Sequence, residues 1–346
     1  MSTLAFELTP ALESGQPPEA RGLARDEVRL MVASRSSEEI VHTRFRELPN
    51  HLRAGDLIVI NNSATLPAAV PATREDGTRI EVRFATRAPR SRRADLSVVE
   101  LRSAGGVAPL RSARAGEDIR LLGAGRLELL APYARPGRLW LARMEVDDGL
   151  HAYLSRHGQP IRYSYVHKPW PLSAYQTVYA TVPGSAEMPS AGRPFTADRL
   201  TRVAAAGTLI APITLHTGVS SLESHEAPYP EEYVVPPTTA RLVNAVRAWG
   251  GRVIAIGTTV VRALESAALS DGTVEPRDGW TDLVISPDRP PRVVDGLLTG
   301  WHEPRASHMQ MLDAIGGPAL VQRSYESALA LGYLWHEFGD SHLILP

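Results

Sequence analysis

The residues best suited to bind a charged ligand lie in residues 250–266, GGRVIAIGTTVVRALES. Two glycines and a short apolar run predict a buried strand, and Gly257 then begins a segment whose apolar residues have helical spacing. In such a turn a glycine lets the backbone approach a ligand, and Thr258 and Thr259 can cap the helix while its first amides face outward. The pattern predicts an anion site at a helix N-terminus. The alternative is an ordinary strand-to-helix joint in which the threonines only cap.

Polar side chains also follow two other apolar runs. His216 ends the run TLIAPITLH of residues 208–216, two residues before Gly218, and Asn61 and Asn62 follow the run of residues 55–60. Because ligands of open α/β sheets bind beyond the carboxyl ends of strands, His216 is a candidate for acid–base or hydrogen-bonding work. A lone histidine is also commonly structural, and asparagines after a strand commonly cap a turn.

A group of arginines could follow a phosphate backbone. They lie in or beside one predicted hairpin, and they are Arg83, Arg87, Arg90, Arg92 and Arg93. A solvated loop that keeps a sheet edge soluble is the competing interpretation.

The elements that position these residues predict a mixed, mostly parallel α/β domain interrupted by a small antiparallel β-barrel. Strands are predicted at residues 28–33, 40–45, 55–61, 208–216, 252–256, 281–286 and 342–345, and helices at 150–158, 197–206, 238–249, 258–268 and 321–332. Between residues 67 and 148 five short alternating runs separated by Gly, Pro and Asp predict the barrel. We therefore expect a catalytic domain over residues 1–66 and 149–346, and an inserted barrel domain over residues 67–148.

Composition limits the classes of function. The chain has 346 residues, of which 43% are hydrophobic and 22% charged, and its net charge of -1 gives no bulk attraction to nucleic acid. Any RNA contact must therefore come from a local basic patch. The absence of cysteine excludes disulfides, thiolate zinc sites and a cysteine nucleophile. Neither a leader pattern nor a membrane-spanning run is recognisable, so the expectation is a cytoplasmic protein without a membrane partner.

Several motifs taken together resemble one family. They are YQTVYATVPGSAEMPSAG, ITLHTG, GGRVIAIGTTVVRALES, GWTDLVI, VVDGLLTGWHEPRAS and a late FGD, preceded by RDEVRLMV and RFRELPNHLRAGDLIVIN. In this order they are similar to the S-adenosylmethionine:tRNA ribosyltransferase-isomerase family of queuosine synthesis. The similarity extends over nearly the whole chain.

The resemblance implies an α/β domain interrupted by a β-barrel, and S-adenosylmethionine used as a ribosyl donor. The acceptor it implies is 7-aminomethyl-7-deazaguanine at the wobble position in the anticodon arm of a tRNA. Adenine and methionine leave, the product is epoxyqueuosine, and no metal is needed. Such chemistry requires a base, a donor that assists adenine departure and a site for the methionine carboxylate.

The resemblance also carries over candidate residues. Those expected to bind substrate are Pro189, Ser190, Ala191, Gly192, Thr214, Gly218, Gly257, Thr258, Thr259, Arg262 and His302, together with Asn61 and Asn62. Thr258, Thr259 and Arg262 are assigned to the methionine portion by helix-terminus electrostatics. His216 and Glu265 are the catalytic candidates. A surface ion pair between Arg262 and Glu265, three residues apart on one helix, is the competing explanation for that pair.

Departures from the family pattern fall where a substrate would bind. The family's asparagine, acid, threonine and arginine after the third strand are here Asn61, Asn62, Ser63 and Ala64. A family histidine is Pro194, and an asparagine near Trp301 is Gly300. Two alternatives to the family reaction therefore stay open: an enzyme that presents S-adenosylmethionine to a small-molecule acceptor, and a non-catalytic protein that binds adenosyl compounds or RNA.

Overall fold

The computed structural model describes residues 6–91, 93–133, 137–219, 229–304, 306 and 308–346. Within these residues the strands are β1 Arg29–Ser34, β2 Ile40–Arg44, β3 Leu57–Asn61, β4 Ser63–Thr65, β5 Ala69–Arg74, β6 Arg79–Arg87, β7 Leu96–Ser103, β8 Asp118–Leu121, β9 Arg126–Pro132, β10 Leu139–Glu145, β11 Val182–Ser185, β12 Leu209–Leu215, β13 Glu231–Val235, β14 Val253–Ile256, β15 Arg277–Thr281, β16 Gly296–Thr299 and β17 Ser341–Leu345. The helices are α1 Gly149–His157, α2 Ala197–Ala205, α3 Pro237–Ala248, α4 Thr258–Ala267, α5 His308–Gly316 and α6 Pro318–Ala330.

A nine-stranded mixed sheet in the order β15-β13-β12-β3-β14-β16-β17-β1-β2 forms the centre of the larger domain. Its middle strands β12, β3, β14 and β16 are parallel to one another, and antiparallel pairs flank them on both sides. Every residue of β3 and β14 is buried, as expected of parallel strands covered on both faces. The carboxyl ends of these four strands therefore meet along one edge of the sheet.

Alternate residues of β3 enter separate cores. Leu57 and Val59 pack with buried side chains of α3, α4, α5 and α6, whereas Ile58 and Ile60 pack on the opposite face with Phe45, Phe195 and other apolar residues. This alternation gives three layers with the sheet in the middle. Helix α4 lies directly behind the edge where the strands end.

Between Ala69 and Glu145 a closed antiparallel barrel forms in the order β10-β7-β6-β5-β8-β9. Alternating runs such as β6, with its apolar Ile80, Val82 and Phe84 turned inward, supply a separate core. The mixed α/β class and the inserted barrel are confirmed. The domain limits at residues 67 and 148 stay a prediction.

Two short strands outside the main sheets bring distant segments together. Strand β4 pairs in parallel with β11, so that Ser63 lies opposite Val182 and Thr65 opposite Ser185. The sequence does not predict this pair, because three- and four-residue strands carry no measurable periodicity. Strands β13 and β16 and helix α5 are likewise not among the predicted elements. The strand expected at residues 281–286 is wrong, because β15 ends at Thr281 and the apolar residues after it enter a loop.

The described part of the chain has no helix long and apolar enough to cross a membrane. In the same part, no group of three or more His, Asp or Glu side chains is arranged to hold a metal ion.

Candidate active site

The candidate site lies at the sheet edge where β3, β12, β14 and β16 end. The residues at those ends are Asn61, Leu215, Ile256 and Thr299. Each strand is followed by a polar segment rather than a further apolar one. The edge therefore collects side chains and backbone amides from four separate parts of the sequence, as ligand sites of open α/β sheets do.

The N-terminus of α4 opens onto this edge. Gly257 has φ of 100° and ψ of 153°, a conformation essentially restricted to glycine, and its N–H donates to Leu298 O over 2.8 Å. The N-cap residue of α4 is Gly257 itself, which has no side chain with which to cap the first turn. The amides of Thr258 and Thr259 belong to this first turn, where helical N–H groups have no partner in the helix. The geometry is that of an anion site, and the binding of a ligand there stays a prediction.

The loop after Pro189 faces this turn. Ser190–Gly192 form one turn of 3-10 helix, and a Cβ built on Gly257 would lie 3.4 Å from Cβ of Ala191. A side chain at Gly192 would overlap the Tyr179 hydroxyl. Gly192 is therefore needed for the close approach of the loop to Tyr179, and the loop in turn forms one wall beside the α4 terminus.

Asn61 joins the two halves of the site. Its Nδ2 donates to Leu215 O over 2.8 Å and to Thr259 Oγ1 over 3.3 Å. Its Oδ1 accepts from Leu215 N over 3.0 Å and from Ser63 N over 3.1 Å. Asn61 is 1% exposed, and these four bonds use its hydrogen-bonding capacity. The side chain therefore positions the edge, and contact between Asn61 and a substrate stays a prediction.

Thr214 and Asn62 bond to each other beside Asn61. The Thr214 hydroxyl donates to Asn62 Oδ1 over 2.6 Å, and Thr214 is 8% exposed. Asn62 is partly exposed, and its carbonyl accepts from the N–H groups of Thr181 and Val182. Contact between Asn62 and a substrate stays a prediction.

His216 lies at the end of β12 with one ring nitrogen already occupied. Its Nδ1 is 2.7 Å from Ser63 Oγ, which is 2.6 Å from Ser185 Oγ. A side chain at Gly184 would overlap the imidazole, so this glycine lets the ring lie against β11. Burial lowers the pKa of His216 below its usual range; the Glu232 carboxylate opposes this effect, and the nearby Arg87 adds to it. The histidine is therefore neutral at pH 7.

Arg262 makes contacts that the sequence did not predict. Its guanidinium pairs with the Glu231 carboxylate and donates to Leu283 O over 3.2 Å and to Thr281 O over 2.9 Å. Glu231 in turn accepts from Gly218 N over 2.8 Å. Arg262 thus holds the segment after β12 in place, and its contact with a methionine carboxylate stays a prediction. The alternative pairing with Glu265 is wrong.

The contacts of Glu265 favour a structural role over the predicted catalytic one. Its carboxylate accepts from the backbone N–H groups of Arg292, Val293 and Val294 over 2.8, 2.9 and 3.0 Å. It lies seven residues along α4 from Thr258, which is about 10 Å from the open terminus at 1.5 Å per residue. A carboxylate held by three backbone amides is suited to be a structural anchor, and a catalytic role for Glu265 stays a prediction.

A stacked pair of histidines borders the site at the end of β16. His302 Nε2 is 2.7 Å from Thr299 Oγ1, and its ring stacks on His308 at a centroid distance of 4.7 Å. Burial lowers the pKa of His302 well below its usual range and the pKa of His308 to about 4. Both rings are therefore neutral at pH 7. Contact between His302 and substrate stays a prediction.

The basic hairpin is only partly at the surface. Arg83 is 1% exposed and bonds to Glu81 over 2.7 Å and to Arg162 O over 2.7 Å, which corrects its assignment to RNA binding. The side chain of Arg87 is 58% exposed and pairs with Glu232, and that of Arg93, also 58% exposed, pairs with Asp95. Arg90 is exposed, and Arg92 lies outside the described residues.

Sequence reasoning missed other residues near the site. Ser63 and Ser185 flank His216, and Glu231 anchors Arg262, as described above. Glu337 lines a cleft beside Ala191 and Gly300, and the Tyr165 hydroxyl donates to its carboxylate over 2.6 Å. Burial raises the pKa of Glu337 to about 7. The sequence does show polar residues before the closing strand β17, among them Glu337, but it does not indicate which of these side chains is buried.

Comparisons with known proteins identify the family. The model of the queuosine biosynthesis protein family matches residues 1–344. An S-adenosylmethionine:tRNA ribosyltransferase-isomerase from Symbiobacterium thermophilum is 38% identical over 100% of this chain and 99% of that protein. A protein of the same name from Moorella thermoacetica is 34% identical over 98% of each chain. The crystal structure of the S-adenosylmethionine tRNA ribosyltransferase from Thermotoga maritima covers 98% of this chain and 99% of its own at 27% identity, with a TM-score of 0.54. The resemblance found in the motifs is confirmed, and the chain belongs to the queuosine biosynthesis protein family.

Proposed function

We propose that the protein transfers the ribosyl group of S-adenosylmethionine to the 7-aminomethyl-7-deazaguanine base of a tRNA and isomerises it. The product is epoxyqueuosine, and adenine and methionine are released. The observation that supports this most is the open N-terminus of α4 beside His216, at the carboxyl edge of the sheet, in a chain of the queuosine biosynthesis family. Such a transferase and isomerase uses S-adenosylmethionine as a substrate.

The methionine carboxylate is placed on the amides of Thr258 and Thr259. Two backbone N–H groups at a helix N-terminus suit a carboxylate, because they carry the positive end of the helix dipole. Asn61 fixes the distance between these amides and His216, since it bonds both Leu215 and Thr259. The adenosyl group would then extend from the α4 terminus toward the imidazole.

The chemistry follows from the sulfonium. Its positive charge acidifies the protons on the adjacent C5′ and makes the methionine thioether a good leaving group. The site must supply a base for one C5′ proton and a hydrogen-bond donor for the departing adenine. His216 is the side chain at the edge best placed for one of these two roles.

The RNA partner is assigned to the anticodon arm. Arg87, Arg90 and Arg93 are exposed on the barrel. Arg87 pairs with Glu232 of β13, whose backbone carbonyl accepts from His216 N over 2.9 Å. A phosphate backbone lying along these arginines would bring its base to the same side as His216. This substrate places the protein in the cytoplasm. The barrel of residues 67–148 would then act as an RNA-binding domain on the catalytic domain.

Product analysis tests the proposal. The protein is incubated with S-adenosylmethionine and an anticodon stem-loop carrying the aminomethyl deazaguanine, and a stem-loop with unmodified guanine is the control. We expect adenine and methionine to appear together with a mass gain on the modified RNA alone. Adenine release that is independent of RNA would show a different acceptor, and bound ligand without release would show a non-catalytic binder.

A further inference from the structure

A chain of buried hydroxyls leads to the ring of His216. Ser63 and Ser185 are both 0% exposed, and the β4–β11 pair holds their Oγ atoms 2.6 Å apart. One end of the chain is fixed, because the N–H of Thr217 donates to Ser185 Oγ over 3.0 Å. The other end is His216 Nδ1, 2.7 Å from Ser63 Oγ.

The direction of the protons in this chain follows from counting donors and acceptors. Ser185 Oγ already accepts a hydrogen bond from a backbone amide. In the described part of the chain, Ser63 Oγ is the one atom within hydrogen-bond distance that can accept the Ser185 hydroxyl proton. Ser185 therefore donates to Ser63. The Ser63 hydroxyl then donates to His216 Nδ1, because that nitrogen is its remaining partner. In the reverse direction the Ser185 hydroxyl proton would be buried without an acceptor, which is costly.

We propose that Ser63 and Ser185 are positioning residues that hold His216 as the neutral tautomer with its proton on Nε2. Nε2 is then a hydrogen-bond donor and has no lone pair with which to remove a proton. This inference rests on the proposed function and deepens it: His216 donates a hydrogen bond to an acceptor atom of the adenosyl group, and the base for C5′ is another group.

The tautomer can be measured without turnover. Nitrogen-15 NMR of the histidine-labelled protein at pH 8 reports the protonation of each ring nitrogen, and the His216→Gln variant assigns the signal. The charged and titratable groups facing His216 are Glu232, Arg87 and His151. We expect protonated Nε2 and unprotonated Nδ1 in the wild-type protein, and an increased Nδ1–H population in Ser185→Ala. A wild-type signal with the proton on Nδ1 would overturn the proposal.

A matched control and an activity measurement complete the test. Ser324 is also 0% exposed but lies in α6 and donates to Leu320 O, so Ser324→Ala should leave the His216 signal unchanged. Glutamine can donate a hydrogen bond but cannot remove a proton at pH 8. His216→Gln should therefore retain about tenfold more adenine release than His216→Ala. If both variants lose adenine release equally, and both abolish a fall in the wild-type rate at low pH, His216 acts as a base.

These readouts separate the two proposals. If no RNA supports adenine release by the wild-type protein, the proposed function fails, whereas the NMR signal still decides the tautomer. If adenine release occurs and the proton is on His216 Nδ1, the proposed function stands and the positioning role of Ser63 and Ser185 fails.

Discussion

Replacing Gly257 with alanine tests the backbone geometry on which the α4 terminus depends. At φ of 100° and ψ of 153°, a residue other than glycine costs about 1–3 kcal/mol. The added Cβ would lie 3.4 Å from Ala191 Cβ and 3.5 Å from Thr259 Oγ1, which are ordinary van der Waals distances. The cost therefore comes from the backbone and not from a clash. We expect Gly257→Ala to lose about 1–3 kcal/mol of the free energy of unfolding, measured in urea.

The same substitution should weaken ligand binding. If the turn rotates to relieve the alanine, at least one amide loses its alignment with the methionine carboxylate. A hydrogen bond to a charged group contributes about 1.5–3 kcal/mol, so the Kd for S-adenosylmethionine should rise roughly 10- to 150-fold. Isothermal titration calorimetry on the folded variant measures this change.

Gly250→Ala is the matched control. Gly250 has φ of 79° and no atom within 4 Å of an added Cβ, but it lies at the other end of β14 from the α4 terminus. Its replacement should cost about 1–2 kcal/mol of stability and leave the Kd unchanged. Wild-type affinity in Gly257→Ala, or an equal loss of affinity in both variants, would refute the placement of the carboxylate.

Three further substitutions test other parts of the account. Arg262→Met leaves the mostly buried Glu231 carboxylate unpaired and should lower the free energy of unfolding in urea by about 3–5 kcal/mol. Glu265→Gln should lose about 1–3 kcal/mol by the same measurement, whereas the pH dependence of its turnover should stay that of the wild-type protein. The loss of one limb of the pH–rate profile in this variant would show that Glu265 acts as an acid or base. Because burial raises the pKa of Glu337 to about 7, the folded state binds an extra proton between about pH 4 and 7, and stability falls as pH rises through that window. Glu337→Gln should flatten this slope in urea titrations, and an unchanged slope would exclude the group.

The local patterns predicted the elements of the site well. Residues 253–267 form the expected strand, turn and helix. The prediction comes from Gly257, which separates a short apolar run from a segment whose apolar residues have helical spacing. The helix expected at residues 197–206 is present, and it begins after Thr196, whose side chain accepts from Arg199 N over 3.2 Å as an N-cap. These features depend on neighbouring residues alone, so the sequence contains the information needed to predict them.

The roles of individual side chains were harder to predict, because their partners are distant in sequence. Arg262 meets Glu231, and Glu265 meets the amides that follow Arg292; neither partner could be identified from helical spacing. Arg83 belongs to the group of arginines that resembles a basic surface, but its position in β6 turns its side chain inward. Ser63 and Ser185 are 122 positions apart and meet only through β4 and β11.

The most direct test of the central claim is a crystal structure of the protein with S-adenosylmethionine bound. The account predicts that the methionine carboxylate accepts hydrogen bonds from the amides of Thr258 and Thr259, within the usual 2.7 to 3.2 Å, and that His216 Nε2 donates to the adenosyl group. A carboxylate bound elsewhere, with the α4 terminus unchanged and solvated, would contradict it.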